Sequence, residues 1–467
     1  MFSIHDTGPR LCDGLTRREW LRVGGLSAMG LSLPALLAGR SVAAPAASGS
    51  FGKAKSCIVL FLLGGPPQHE TWDPKPDAPP EVRGEFKPTA TNVPGIRVGE
   101  LMPQTARLMD KIAALRAVST DDNAHSSSGY WMLTGVPHQP TNSENAKPGA
   151  PNDWPCIGAL VQRLRVGKNG LPAAVTLPEH IWNTGNLSWP GQDGGLLGRS
   201  ADPWLIMCDP SSPDFQIPGL ALPGEVSPAR LRDRLSLLDQ VNERLDAVDR
   251  SGAVARFDNR SQQAFDLLRA GKARQAFKLD REPPAVRDRY GNNRFGQSVL
   301  LARRLVEAGV SLVQVNWTRM KEDTNDSPAW DNHQKNAFRC KNVLMPPMDR
   351  AYSALLDDLD QRGLLGETLV EWAGEFGRTP KHNPAGGRDH WGHVFSAALA
   401  GGGVRGGQVY GISDSIGGHP RDGRVQPQDI TATIFHCMGY TPHTEVHDTL
   451  GRPLPISRGE PIRQILS

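Results

Sequence analysis

The strongest constraint on the fold is a short apolar run that ends abruptly. Ser56 to Leu63 reads SCIVLFLL and stops at Gly64-Gly65-Pro66-Pro67. A continuous apolar run bounded by turn formers is a strand buried on both faces, because a solvated face would show polar residues in alternation. Such strands belong to parallel sheets with helices on either side. The signature returns at Ile112 to Val118, Ala173 to Leu177, Ser311 to Asn316, Thr368 to Ala373 and Val394 to Ala400. Between them, apolar residues at helical spacing predict helices over Met102 to Met109, Ile157 to Leu164, Phe295 to Ala308, Val343 to Gln361 and Pro427 to Met438. The helix ending at Gly309 is expected to turn Arg303, Arg304 and Glu307 outward. The expectation is an α/β fold: a large, mostly parallel sheet between helices.

Length and charge narrow the functional classes. With 467 residues there is room for one large α/β domain or two ordinary ones. A formal net charge of +3 gives no argument for nucleic acid or an anionic membrane surface. Thr16-Arg17-Arg18-Glu19-Trp20-Leu21-Arg22 precedes a moderately apolar stretch, Val23 to Ala38, and Ser41-Val42-Ala43 offers small residues for cleavage. Residues 1–43 therefore read as a twin-arginine export signal, and 44–467 as a single exported domain in the periplasm or beyond the cytoplasm. The apolar run is short and Gly-rich for a stable membrane span. Cys57, Cys156, Cys208, Cys340 and Cys437 have no close spacing and read as buried thiols rather than disulfides or a zinc knuckle.

Three stretches are harder to assign. Residues 75–100 are Pro-rich and read as an ordered surface loop, and 180–225 show no regular pattern. From 228 to 280, Leu231, Leu235, Leu238, Leu245, Val248, Phe257 and Phe265 follow helical spacing. This helical insertion can be a cap, a docking surface for an envelope protein partner, or packing on the sheet.

In open α/β sheets, ligands bind outside the carboxyl ends of the strands. The residues expected there are His69, Asp73, His125, Ser126, Asp331, His333, Glu375, Arg378, Arg388, Asp389, His390 and His393. A mixed His/carboxylate set suits zinc, manganese or iron, and its oxygens also admit calcium. Arg378 and Arg388 can neutralise a phosphate or sulfate. Each has a bland alternative: Asp331 and His333 as a loop hydrogen-bond pair, Glu375 and Arg378 as a structural ion pair, Ser126 to Ser128 as helix caps. The glycine-rich turn 401–407 lacks a P-loop lysine.

The motifs LLGGPPQHETWDPKP, HSSSGYWMLTG, WDNH, GEFGRTP, GGRDHW and AGGGVRGGQVYG, with LGRPLPI near the end, jointly resemble one bacterial family of unknown function, number 1501 of its naming series. The likeness runs from about residue 54 to the C-terminus. It looks like a sulfatase-like branch of the alkaline phosphatase superfamily. The resemblance implies hydrolysis of phosphate or sulfate esters at one or two metal ions, with a Ser, Thr or modified Cys nucleophile near the start of the helix after the second strand. Three departures stand out. The nucleophile position, counted back from Gly135, falls on His125, with Ser126 and Ser127 following. Gly64-Gly65 stands where sulfatases place paired acids, and Glu375-Phe376 where the superfamily often has Asp-His.

The functional expectation is a metal-dependent ester hydrolase acting on an anionic substrate such as a sulfated glycan. Its metal ligands would come from His69, Asp73, Asp331, His333, Glu375, His390 and His393, and its catalytic residues would be Ser126, His125 and Arg378. A serine in shifted register, His125 itself as nucleophile or ligand, and a reaction without a covalent step all remain open. A non-catalytic binding or scaffold protein of the envelope is the alternative, and a metal-dependent oxidoreductase or lyase a third. The export motif gives the first prediction. Replacing Arg17 and Arg18 together by Lys retains the protein in the cytoplasm, measured by fractionation; normal export of the double variant would remove the signal assignment.

Overall fold

The computed structural model describes residues 49–183, 187–217, 271–317, 323 and 329–467. The export signal and most of the helical insertion, 228–270, lie outside the described residues. The expected strands are present as β1 (Ser56–Phe61), β2 (Ile112–Val118), β3 (Ala174–Leu177), β5 (Leu312–Asn316), β6 (Thr368–Ala373) and β7 (Phe395–Ala400). Two strands that the sequence pattern did not show, β4 (Trp204–Leu205) and β8 (Gln408–Tyr410), close the edges. Together they form an eight-stranded sheet in the order β8-β2-β7-β6-β1-β5-β3-β4. β1 lies centrally and pairs in parallel with both β6 and β5. β7 alone runs against the others, antiparallel to β6 and to β2.

Alternation along each strand supplies two cores. Ile58, Leu60, Val313, Val315, Val370 and Trp372 face one side, under α3 (Arg294–Glu307) and α4 (Met345–Gln361). Cys57, Val59, Phe61, Leu312 and Leu369 face the other, under α2 (Ile157–Leu164) and α5 (Pro427–Cys437). Burying each large apolar side chain stabilises the fold by roughly 1.5–3 kcal/mol. The sheet between helices is the α/β architecture that the periodicity predicts.

Four local expectations are corrected. The helix expected at Met102 to Met109 is a 3-10 turn over Thr105–Lys111. The Asp349 carboxylate accepts the Gln104 and Thr105 amides at 2.9 and 2.8 Å, and β2 begins at once afterwards. Arg303 does not face outward: it is fully buried, paired with Glu282 at 2.9 Å and Asp358 at 3.0 Å, and with Glu307 one turn on. Carboxylates from separate segments converge on its guanidinium, which repays its burial. Residues 180–225 do hold regular structure, in β4 and a two-residue ladder of Trp182–Asn183 with Leu187–Ser188, too short to leave a periodic signal. The 75–100 loop contains a hairpin of Pro88–Ala90 with Arg97–Gly99.

Glu371 is a charge in the wrong place for a central strand. It lies within β6 between Val59 and Leu399, is buried, and its Oε2 has no hydrogen-bond partner. Burial pushes its carboxyl pKa up from 4.5 to about 7. The unfolded chain therefore loses this proton first. The contribution to stability is complete below about pH 4.5, falls as the pH rises to about 7, and is flat above. The loss is about 3 kcal/mol for a shift of this size. Glu371→Gln is expected to remove that fall, read as urea midpoints at acidic and neutral pH; an unchanged pH dependence would refute it.

Candidate metal centre

Strand direction decides where the site lies. β1, β2, β5 and β6 all end at one edge of the sheet, and the reversed β7 enters from that same edge. The loop 374–394 thus leaves β6 and returns beside it. Gly377 and Arg378 pair with Trp391 and His390 in a short ladder that closes its neck. The Arg388 guanidinium fixes its tip by donating to Glu70 and to the Thr379, Pro380 and Val82 carbonyls. Asn383 donates to the His333 carbonyl at 2.9 Å, and Arg388 donates its amide to Asn332, which docks the 330–336 segment on this loop. Gly64, at φ 106°, makes the close approach possible: a Cβ there would stand 2.3 Å from the Asp331 nitrogen. Gly65 has the same need, since a Cβ there would stand 2.5 Å from the Phe376 ring.

Three imidazoles meet on one carboxylate. His125 opens α1 (His125–Thr134), just past β2. His125 Nε2 lies 3.2 Å from Asp331 Oδ2, and His333 and His390 Nε2 each lie 3.0 Å from Asp331 Oδ1. His333 Nε2 and His390 Nε2 are 2.9 Å apart. On the far side of each ring an acceptor waits for Nδ1. His125 Nδ1 donates to Glu375 Oε1 at 2.7 Å, His390 to the Asn123 carbonyl at 2.7 Å, and His333 to Asp389 Oδ1 at 2.8 Å. These acceptors assign the proton of each neutral ring to Nδ1 and leave the Nε2 lone pairs facing inward. His333 and His390 Nε2 at such a distance, beside a carboxylate, share either a proton or a bound cation. Among the described residues, His125, Asp331 and His390 have ligand atoms that all lie within 4.8 Å of one another. The donor set fits a borderline divalent ion.

The electrostatics agree. Burial would raise the Asp331 carboxyl, but Arg378 and His125 outweigh it and hold it well below the usual range. Burial pushes His125 down, yet Asp331 and Glu375 together lift it to about 10. The hydrogen bond that His333 donates to Asp331 raises the His333 pKa, whereas burial lowers His390 to about 4. The cluster holds positive charge tightly and distributes it unequally. Phe376 forms the floor, stacked on His390 at 4.5 Å and tilted against His125 at 5.0 Å between centroids.

The structure gathers only part of the predicted set. His125, Asp331, His333 and His390 converge. Glu375 stands behind His125, wholly buried, its Oε1 also accepting the Gly64 amide at 2.8 Å. Arg378 stands behind Asp331 at 2.6 Å and spends its remaining bonds on the Gly64, Gly65 and Arg388 carbonyls. His69 is buried elsewhere on the Ile416 carbonyl at 2.7 Å. Asp73 binds Ser413 and Lys75, and His393 binds Asp121 at 2.9 Å. Ser126 Oγ donates to the Ser143 and Glu144 carbonyls at 2.8 and 2.5 Å and accepts the Ala146 amide. The serines do not cap: the N-cap is Ala124, and Asp122 Oδ1 accepts the Ala124 amide and the Ser127 hydroxyl.

Sequence reasoning missed Gln68, Asn123 and Glu144. Gln68 clamps the Arg378 backbone through both amide atoms, at 2.8 and 2.9 Å. Glu144 Oε2 accepts the His125 amide at 2.8 Å, and burial raises its carboxyl pKa. Only the nearness of Gln68 to the first strand end gave any signal; polar residues in irregular loops give none. We predict that Glu375→Gln, which keeps the shape but weakens the hold on His125, lowers metal affinity about 10–100-fold. His390→Ala should lower bound metal outright. Calorimetric titration checks both, and unaltered affinity in both variants would remove the centre.

Comparison with curated proteins finds no match to this sequence. Among solved structures it is similar to the PsFucS1 sulfatase from Pseudoalteromonas sp., at 12% identity and a TM-score of 0.37, over 82% of this chain and 67% of that one. It is similar also to the phosphonate monoester hydrolase SpPMH from Silicibacter pomeroyi, at 12% identity and a TM-score of 0.37, over 88% and 76%. A third is Ps i-CgsB in complex with k-i-k-neocarrahexaose, at 12% identity and 0.40, over 82% and 72%. The family model described as "Protein of unknown function (DUF1501)" matches residues 54–466, and the chain belongs to that family.

Proposed function

We propose that this protein is an exported, sulfatase-like, metal-dependent hydrolase of sulfate or phosphate esters. The observation that carries the reading is the convergence of the His125, His333 and His390 Nε2 atoms on the Asp331 carboxylate at the carboxyl edge of the sheet. His125, Asp331 and His390 would hold the ion, with His333 beside them. When bound, a divalent ion supplies a Lewis acid for the ester oxygens and a lowered pKa for its water. The chain's own part is preorganisation. Glu375, Asn123 and Asp389 keep the Nδ1 protons outward, and Arg378 fixes Asp331.

No serine of α1 is free to attack. Ser126 holds the 143–146 loop, Ser127 donates to Asp122, and Ser128 donates to the Glu375 carbonyl at 2.5 Å. With these hydroxyls engaged, this reading takes water as the nucleophile, without a covalent serine step. In this reading the twin-arginine motif directs export, and a sulfated glycan is a suitable substrate outside the cytoplasm. The spent serines also favour the second reading, a non-catalytic sulfatase-like binding or scaffold protein of the envelope.

Elemental analysis of the mature protein, purified without chelators, followed by an aryl sulfate and aryl phosphate panel, tests the choice. About one equivalent of a divalent ion and chelator-sensitive ester cleavage are expected. Bound metal with no turnover of any ester would favour the binding protein, and a folded sample that refuses added metal would sink the hydrolase.

A further inference from the structure

Glu144 lies in no helix or strand, yet its loop is firmly pinned. Asn142 holds a left-handed conformation, φ 56°, which a side chain rarely adopts without compensation. Its Oδ1 accepts the Asn123 amide at 2.8 Å. The Ser143 amide donates to Ser127 Oγ at 2.9 Å, and Ser126 closes the loop through the Ser143 and Glu144 carbonyls. From the other side, Asn183 Nδ2 donates to the Glu144 carbonyl at 2.5 Å. What these bonds present is a carboxylate. Glu144 Oε2 sits on the His125 amide, on the residue whose ring enters the metal centre, and it interacts electrostatically with His125, Asp331 and Glu375. Its carboxylate is partly desolvated at this contact, while the residue as a whole remains exposed to solvent.

The two arginines of the 374–394 loop are committed elsewhere. Arg378 and Arg388 are fully buried, and their hydrogen bonds go to Asp331, Glu70 and backbone carbonyls. Glu144, on the His125 amide, and Asp389, engaged by His333, add negative charge beside the centre. Resting on the ester-hydrolase reading, we infer that Glu144 is a specificity residue. Its carboxylate disfavours a dianionic group at the centre, so the site takes monoanionic esters, sulfate monoesters or phosphate diesters, over phosphate monoesters. The HSSS sequence thereby gains a role that is not nucleophilic: Ser126 and Ser127 position the loop that carries the selecting charge.

Two probes of matched shape separate the charge effect from fit. Benzenesulfonate is a monoanion, and phenylphosphonate is a dianion in mildly alkaline buffer. Calorimetry on the zinc-loaded protein is expected to show benzenesulfonate binding about tenfold more tightly or better, since like charges brought together repel. Glu144→Gln, and independently Glu144→Ala, should narrow that gap through tighter phosphonate binding. Equal affinities in the wild type, or a gap unchanged in both variants, would overturn the charge selection and leave the hydrolase reading intact. If neither probe binds the zinc-loaded protein, the hydrolase reading fails and this inference fails with it.

Discussion

The Asp331 carboxylate is the point on which the site depends. It is buried, and a buried carboxylate persists in charged form only when positive groups surround it. Arg378 supplies one such group from the loop after β6, and His125 and His333 bring others from the start of α1 and from Asp331's own segment. Removing one partner from such a set leaves an uncompensated charge, which is costlier than any single contact is valuable. The arrangement therefore ties the docking of the 330–336 segment, the 374–394 loop and the start of α1 to one another.

A second layer holds the first. Glu375, Asp389 and the Asn123 carbonyl orient the rings, while Gln68 and the Gly64 and Gly65 carbonyls orient the guanidinium. Phe376 adds a flat apolar face under two of the rings. Glu375 and Gln68 are buried and set by packing, whereas Asp389 is exposed.

The fold was legible in the sequence wherever burial imposed a period. β1, β2, β5, β6 and β7 each appear as an apolar run, and α3 and α4 as apolar stripes. Arg303 escaped because a pattern reads a charge as solvent-facing, and the carboxylates that bury it come from distant segments. The short strand β4 escaped because two residues carry no period. In the site, the types were readable and the geometry was not. Sequence proximity to strand ends selected His125, Asp331, His333 and His390, but it equally selected His69, Asp73 and His393, which bond elsewhere. Whether a side chain turns inward depends on a backbone direction that no spacing encodes. Glu144 was invisible for the same reason.

The reversed direction of β7 has a consequence for how the centre comes into being. Because β6 and β7 are neighbours, Arg378 and His390 face each other within one local hairpin, so this half can close at small entropic cost. His125 and Asp331 arrive from segments far away in the chain and complete the ligand set only when the whole sheet has assembled. Ion affinity is then a property of the finished fold, absent from its fragments. An ion that binds only the finished fold stabilises it by mass action, about 2.7 kcal/mol at a hundredfold excess over its dissociation constant. For the proposed ion, metal loading and completion of folding would be linked equilibria.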